Sequence, residues 1–366
     1  MWDLTAYMQL MARQKASDCF FSPGAPPSIK IEGNTVHLGE EELTPEWVHR
    51  MAYSVMSDRQ QKEFEATMEM NLAVGLPDVG RFRVNVYRQR GAVAIAVRYI
   101  TSEIPTLDSL GLPEKLKELI NLPRGLILVV GSTGSGKSTT LASMIDHRNT
   151  MRTGHILTIE EPVEFLHRHK KSVVDQREIG LDTLSYENAL KNAMREAPDV
   201  VLIGEIRDRE TMKHAISYAE TGHLCLSTLH ANNANQTLDR IINFFPDTAR
   251  HQLLIDLSLN LQAVISMRLV KGVDGKRRPA VELLLHTAYV SDLIERGEIH
   301  EIKDAMKQSA NVGMQTFDEA LFRLYAAGKI SYEECIENAD SRTDLALRIR
   351  LSGTAGVPSG LSLEGQ

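Results

Sequence analysis

Cysteine is scarce in this chain. Cys19, Cys225 and Cys335 are its three cysteines, each remote from the others, and no C-x-x-C pair occurs. That excludes a zinc ribbon or a thioredoxin-like redox motif and fits small buried thiols in a reducing cytosol. No apolar run approaches the ~20 residues that span a bilayer. The opening stretch, Met1-Trp-Asp-Leu-Thr, carries Asp3 and lacks the basic start of a secretory signal. A soluble cytoplasmic protein is expected, without a direct membrane span and reaching any membrane through a partner. An excess of positive charge is missing too: 41 Lys and Arg stand against 48 Asp and Glu, for a net charge of −7. The densest basic clusters, Arg81–Arg88 and Lys276–Arg278, are short and isolated, so no nucleic acid is expected as a partner. No internal repeat occurs, which excludes solenoids and propellers.

What is present is enough chain for two or three domains in its 366 residues. Residues 1–100 read as a small α+β module. Leu4, Met8 and Met11 share one face of a helix over Trp2–Lys15, and strands are expected at Cys19–Phe21 and Ser28–Ile31. Glu32-Gly-Asn34 reads as a hairpin turn into Val36–Leu38. Thr44-Pro45 reads as a helix start, and strands return at Met70–Val74, Arg81–Arg88 and Ala92–Tyr99. Residues 101–123, broken by Pro105, Gly111, Pro113 and Pro123, read as a linker with one short helix. From Arg124 the pattern changes. A continuous apolar run at Leu126–Val130 and similar runs at Ile156–Ile159, Val200–Ile203 and Leu224–Leu229 alternate with helical stretches, the pattern of a doubly wound, mostly parallel sheet. Beyond about Ala249 the chain is expected to be mainly helical, with a hairpin at Gly272–Gly275. The α/β domain covers 124–345, and residues 346–366, rich in Gly and Ser from Gly353, read as a disordered tail.

Gly131-Ser-Thr-Gly-Ser-Gly-Lys-Ser138 matches G-x-x-x-x-G-K-[ST] completely, after a buried strand and before a helical stretch. Glycines let backbone N–H groups close around phosphate oxygens, and a helix N-terminus adds partial positive charge. Ser132, Thr133, Gly134, Ser135, Gly136, Lys137, Ser138 and Thr139 are therefore the expected nucleotide-binding residues. Lys137 suits the β/γ-phosphates, and the Ser138 hydroxyl suits Mg2+. The motif says nucleotide hydrolysis and no more.

The remaining acids and bases narrow it. Asp199-Val-Val-Leu-Ile-Gly-Glu205 is a second buried strand ending in Glu205, an acid placed to hold Mg2+, often through water. Glu160, Glu161 and Glu164 crowd the end of a third apolar run, the edge where open α/β sheets bind ligands, and one of them suits water activation. His223 and His230 lie at opposite ends of the Leu224–Leu229 run and are open to a structural or a functional reading. Arg81 and Arg83 project from one face of a strand while Phe82, Val84 and Val86 take the other. Two such cations are either a solvated surface or a phosphate clamp. As exposed strand residues their loss is expected to cost turnover more than stability.

GSTGSGKST at 131–139, TIEEPVEF at 158–165, DVVLIGEIRD at 199–208 and ETGHLCLSTLH at 220–230 occur in that order. Together they resemble the secretion ATPases of type II secretion and type IV pili. The likeness runs over about 1–340, including ASDCFFSPGAPPSIKIEG and GRFRVNVYRQ, and is strongest to the twitching-motility retraction ATPases, the PilT/PilU family. It implies a hexameric ring of subunits, each with a PAS-like N-terminal domain and a RecA-like P-loop motor domain, hydrolysing ATP with Mg2+. It implies Glu164 as the catalytic glutamate, Glu205 supporting Mg2+ with Ser138, and His223 and His230 as nucleotide-sensing histidines. It implies Arg81 and Arg83 reaching the phosphates as the domains close. The implied partners are a PilT-type retraction ATPase and a PilC-like platform protein, at the cytoplasmic face of the inner membrane near the pilus base.

Departures refine the likeness. Glu161 stands where the family usually has Asp. Within Ala288–Glu295 the chain departs from the retraction ATPases' Ala-Ile-Arg-Asn-Leu-Ile-Arg-Glu segment: with Leu293-Ile294 matched to its Leu-Ile, Ser291 and Glu295 stand at the arginine positions, which favours the PilU side. The tetracysteine zinc site of assembly ATPases is absent. The altered segment motivates an alternative, an accessory nucleotide-binding ring that docks on another pilus motor. A DNA-dependent ATPase is disfavoured by the acidic balance.

Overall fold

Polar caps and short apolar alternations set the N-terminal elements. In the computed structural model, which describes residues 3–31, 33–77, 79–100 and 103–352, α1 (Leu4–Gln14) starts where the Asp3 carboxylate accepts the Thr5 N–H and buries Leu4, Met8 and Met11. Trp2, Glu32 of the expected hairpin turn, and the Gly353–Gln366 tail lie outside the described residues. Strands β1 (Asp18–Phe21), β2 (Ser28–Ile31) and β3 (Asn34–His37) precede α2 (Pro45–Ser54) and α3 (Asp58–Thr67). Thr44 caps α2 with Pro45 in its first turn, as expected. α3 has no counterpart in the sequence reading. It begins at a capping box, in which the Ser57 side chain and Gln60 satisfy each other's backbone N–H groups.

Strands β4 (Glu69–Leu76), β5 (Gly80–Gln89) and β6 (Ala92–Ile100) complete an antiparallel sheet of order β3-β2-β1-β6-β5-β4. Phe21, Phe64, Phe82 and Ile95 are fully buried in its core. Because β5 turns Phe82, Val84 and Val86 inward, Arg81 and Arg83 share the opposite face. The unit built on this sheet comprises residues 1–104 and two later segments, 162–168 and 177–185.

The second unit takes residues 105–161, 169–176 and 186–366. Its first elements are α4 (Leu107–Leu110), α5 (Lys115–Leu119), β7 (Gly125–Val130), α6 (Lys137–Met151), β8 (Gly154–Glu160) and β9 (Ser172–Glu178), of which Arg177 and Glu178 count with the first unit. α7 (Tyr186–Ala193), β10 (Val200–Ile203), α8 (Arg209–Glu220), β11 (Leu224–Leu229), α9 (Ala234–Asn243) and α10 (Asp247–Asn260) follow. Then come β12 (Leu261–Lys271), β13 (Arg277–Leu285), α11 (Ala288–Glu295), α12 (Ile302–Gln308), α13 (Phe317–Ala326), α14 (Tyr332–Glu337) and α15 (Arg342–Leu351). The sheet order is β13-β12-β7-β11-β10-β8-β9. β12, β7, β11, β10 and β8 run parallel, and β13 is antiparallel to β12. β7, β10 and β11 are buried throughout, as continuous apolar runs require.

Three boundaries differ from the sequence reading. Residues 105–123, read as a linker, belong to the second unit: Leu107, Leu116 and Ile120 are buried, and the Arg148 guanidinium donates to the carbonyls of Ile120 and Leu122 at 2.7 and 2.9 Å. Beyond Ala249 the hairpin arms are long strands that widen the sheet by two. α15 runs to Leu351, past the boundary expected at 345, because Leu345 and Ile349 pack with Phe317, Leu321 and Cys335. All three cysteines are buried. Burial pushes the Cys19 and Cys335 thiols up to about 12, so neither is a reactive thiolate near neutral pH.

Candidate active site

β7 ends at Val130 and the chain turns at once. A Cβ on Gly131, whose φ is +151°, would lie 2.4 Å from Ser135 Oγ and 2.6 Å from the Met267 carbonyl oxygen, so only glycine fits. α6 then starts behind Gly136 (φ 98°) with no side chain capping its first N–H groups, leaving donors and the positive end of the helix dipole facing the loop. The Lys137 ammonium donates to the carbonyls of Gly131 and Ser132 at 2.8 and 2.9 Å. Burial lowers its pKa, opposed by the charge of Glu205. Ser135 is 3% exposed and its Oγ has no hydrogen-bond partner among the described residues. Uncapped donors, a clamped ammonium and an orphaned buried hydroxyl together suit a phosphate chain. Ser132, Thr133, Gly134 and Ser138 are exposed, and Thr139 is half-buried on the first turn of α6.

Beyond β10 a glycine precedes the acid for a steric reason. A Cβ on Gly204 would stand 2.9 Å from the Tyr186 hydroxyl and 3.1 Å from the Glu160 Cα. Ser227 and Thr228 of β11 donate to the carbonyls of Ile203 and Gly204 at 2.8 and 2.6 Å, fixing the strand end that carries Glu205. The Glu205 carboxylate meets His230 Nε2 at 3.2 Å and Arg207 Nε at 2.7 Å, and Arg207 reaches Glu161 at 3.1 Å. Thus Glu161, with the longer arm, holds an ion pair, while Glu160 accepts from Thr158 Oγ1 at 2.7 Å. Sequence reasoning missed Arg207, although it lies two residues after Glu205.

Lys137, Glu205 and His230 therefore share the C-terminal edge of the parallel sheet. His223 does not join them: it lies at the other end of β11, about 20 Å away at the ~3.3 Å rise of a strand, bonded to Thr221 Oγ1 at 3.1 Å. A cleft of about 650 Å³ beside the loop is lined by Gly131, Ser132, Thr133, His230, Gln236 and Arg240.

Glu282 of β13 braces the helix behind His230. Its buried carboxylate accepts the Ala234 N–H at the start of α9 at 2.8 Å and the Ser266 hydroxyl at 3.1 Å. Desolvation, aided by Asp340 and opposed chiefly by the Ala234 N–H and less by Ser266 and Lys303, pushes this carboxyl up to about 7 from an ordinary 4.5. Between those values the folded protein holds a proton that the unfolded chain has lost. Stability should therefore fall as pH rises through that window, by about 3 kcal/mol. Glu282→Gln, which keeps an acceptor and cannot ionise, should flatten the slope. Urea unfolding of both proteins at about pH 5 and about pH 8 measures it, and equal slopes would assign the proton elsewhere.

Arg81, Arg83 and Glu164 belong to the first unit. Arg83 Nε lies 3.0 Å from Glu178 Oε1, and Arg81 reaches Asp182 at 4.0 Å. The expectation that these arginines matter little to folding is corrected for Arg83, because the Glu178 side chain opposite it is 1% exposed and a buried carboxylate stripped of its cation is costly. Arg98 lies directly across β5 and β6 from Arg83. Asp18 holds it charged, with a smaller contribution from Glu164. Arg98 was legible as the one cation in an apolar strand. Glu178 and Asp182 carried no sequence signal.

The chain matches the type II/IV secretion system protein family over residues 4–326. It is 49% identical over 98% of its length to the type IV pilus ATPase PilU of Pseudomonas aeruginosa, covering 95% of that protein. It is 42% identical over 92% of its length to the type IV pilus retraction ATPase PilT of the same organism, covering 98% of that protein. The crystal structure of the pilus retraction motor PilT with bound ADP superimposes with a TM-score of 0.88 at 40% identity, covering 95% of this chain and all of that one. The chain, with an N-terminal domain followed by a RecA-like motor domain, belongs to the type II/IV secretion system ATPases, in the group that contains PilU and PilT.

Proposed function

We propose that this protein is a PilU-like subunit of the type IV pilus retraction motor, a hexameric ring that converts ATP hydrolysis into mechanical work. The observation that carries the reading is the convergence of the uncapped α6 N-terminus, the Lys137 ammonium and the Glu205–His230 pair at one sheet edge. The loop 131–139 binds the triphosphate. Ser138 and Glu205 are the residues offered to Mg2+, which when bound neutralises charge on the phosphates. Glu164 orients the attacking water, and Arg81 and Arg83 stabilise the charge that develops on the phosphates. His230, hydrogen-bonded to Glu205, reports the nucleotide state, and His223 carries it onward. A closing and reopening cycle of the domains then drives the platform protein at the cytoplasmic face of the inner membrane.

Action alongside a PilT-type ATPase is favoured by α11. Ser291, at a position where the family has arginine, donates its hydroxyl to the Ser258 carbonyl at 2.8 Å and closes the end of α10 instead of presenting a cation. ATP turnover of the purified protein should be measurable without DNA and should change when a PilT-type ATPase is added. In a strain lacking the gene, wild type should restore twitching and Lys137→Ala should not. Restoration by the Lys137 variant would leave only the accessory ring, docked on another pilus motor and not an independent motor itself.

A further inference from the structure

Two arginines two residues apart on β5 face two carboxylates four residues apart, Glu178 and Asp182. The turn that carries them is tied to itself, since Asp182 accepts the Glu178 N–H at 2.9 Å and the Gly180 N–H donates to the Thr183 carbonyl at 2.7 Å. Glu178 is 0% exposed, and both of its carboxylate oxygens are used. Oε1 accepts from Arg83 Nε at 3.0 Å, and Oε2 accepts the backbone N–H of Val163 at 3.2 Å. Val163 is itself buried and immediately precedes Glu164. One buried carboxylate thus ties the strand of Arg83 to the segment of Glu164.

The mode of contact matters. A carboxylate that takes both Nη groups of an arginine consumes its fork. Here Glu178 grips the Nε side, and the Arg83 Nη groups make no hydrogen bond among the described residues. A side-on grip fixes the plane of the guanidinium and leaves its two terminal nitrogens for a second anion. Arg83 is also 31% exposed at its side chain, and it borders a cleft of about 270 Å³ shared with Asp18, Asn85, Arg98 and Glu178.

We infer that Glu178 is a positioning residue: it holds Arg83 by Nε so that the terminal nitrogens are presented to the nucleotide's phosphates, in fixed relation to the Glu164 segment. The inference rests on the reading of Arg83 as a phosphate ligand, and the test separates the two. Glu178→Gln is the informative change. Its amide has one acceptor, and once that oxygen takes the Val163 N–H the NH2 group faces Arg83 Nε, donor against donor. Arg83 is then released while the backbone anchor stays. Arg83→Lys keeps a cation for Glu178, and hence the fold, yet has no fork left to present.

Steady-state kinetics, melting temperature and oligomer mass of Glu178→Gln, Arg83→Lys and the double variant form a cycle. Glu178→Gln should lower kcat by about 10- to 100-fold with KM little changed, the scale of a misplaced catalytic contact. Most of that loss should vanish in the Arg83→Lys background, an outcome that a merely structural carboxylate would not produce. If Arg83→Lys turns over ATP like wild type, the parent reading fails, and the inference with it. If Arg83→Lys is impaired while Glu178→Gln is not, or if the two losses multiply, Arg83 stands and Glu178 is a structural residue only. Should Glu178→Gln fail to reach the wild-type oligomer mass, Glu178→Asp, too short to hold both partners, takes its place in the cycle and separates the same outcomes.

Discussion

Lys137→Ala is expected to leave a folded protein without measurable ATP turnover. The ammonium sits over the loop rim on the carbonyls of Gly131 and Ser132, and burial already disfavours its charge. A phosphate chain supplies the counter-charge, so loss of the group removes a charge-assisted contact worth about 1.5–3 kcal/mol. That alone weakens nucleotide binding by about 10- to 150-fold, and the part of the contact that strengthens as charge develops in the transition state is lost from kcat as well. The fold should be spared, because β7 and α6 are held by buried residues such as Val129, Met144 and Ile145. Binding of a fluorescent ATP analogue, turnover and melting temperature measured on one preparation distinguish the cases. Turnover at the wild-type rate would remove the loop from the active site.

How far the sequence reached is clearest at the strands. Leu126–Val130 and Val200–Ile203 are continuous apolar runs, and Leu224–Leu229 a similar run carrying Ser227 and Thr228, because both of their faces are covered, and that pattern survives without any tertiary knowledge. β12 escaped for a related reason. Leu261-Gln-Ala-Val-Ile-Ser-Met-Arg-Leu is apolar enough to be buried, but a long buried run does not announce its period, and helix and strand are then indistinguishable. β9 escaped on polarity: Val-Asp-Gln-Arg-Glu lies at the sheet edge, where one side of a strand is solvated and residues such as Asp175 serve local pairs with His155. α3 is different, since Ser57-x-x-Gln60 is a helix-start signal that the chain carries in plain view.

The site divides the same way. The candidate phosphate loop is a contiguous motif, its glycines, Lys137 and Ser138 all within eight adjacent positions, so local sequence specifies it. Glu178 acts on Arg83 from 95 positions away, and it does so only because 177–185 joins the first unit while its flanking residues join the second. Composition and spacing contain no trace of such an exchange of segments. Arg207 was hidden differently: it sits inside the DVVLIGEIRD motif, but its pairing with both Glu205 and Glu161 depends on two strand ends lying side by side. Residues that work through local backbone are readable from sequence, and residues that work through tertiary pairing are not.

Glu164→Gln is expected to bind ATP and hydrolyse it about 10²- to 10⁴-fold more slowly, the usual cost of losing a general base. Of the three neighbouring acids, Glu160 is engaged by Thr158 and Glu161 by Arg207. The Glu164 carboxylate is exposed and makes no hydrogen bond or ion pair among the described residues, with Arg98 as a nearby charge. It is the one of the three whose oxygens are left to orient a water. Its backbone position is secured independently by the Val163 N–H on Glu178, so replacing the side chain with its amide should not disturb the segment. The melting temperature should stay within the scatter of exposed substitutions, roughly ±0.5 kcal/mol in stability. Glu161→Gln serves as the comparison: it frees Arg207 to pair with Glu205 alone and should cost turnover far less. Single-turnover hydrolysis and equilibrium nucleotide binding of both variants decide the assignment. If binding and hydrolysis fall together in Glu164→Gln, the residue organises the bound nucleotide. If Glu161→Gln shows the larger kinetic defect, the catalytic carboxylate is Glu161.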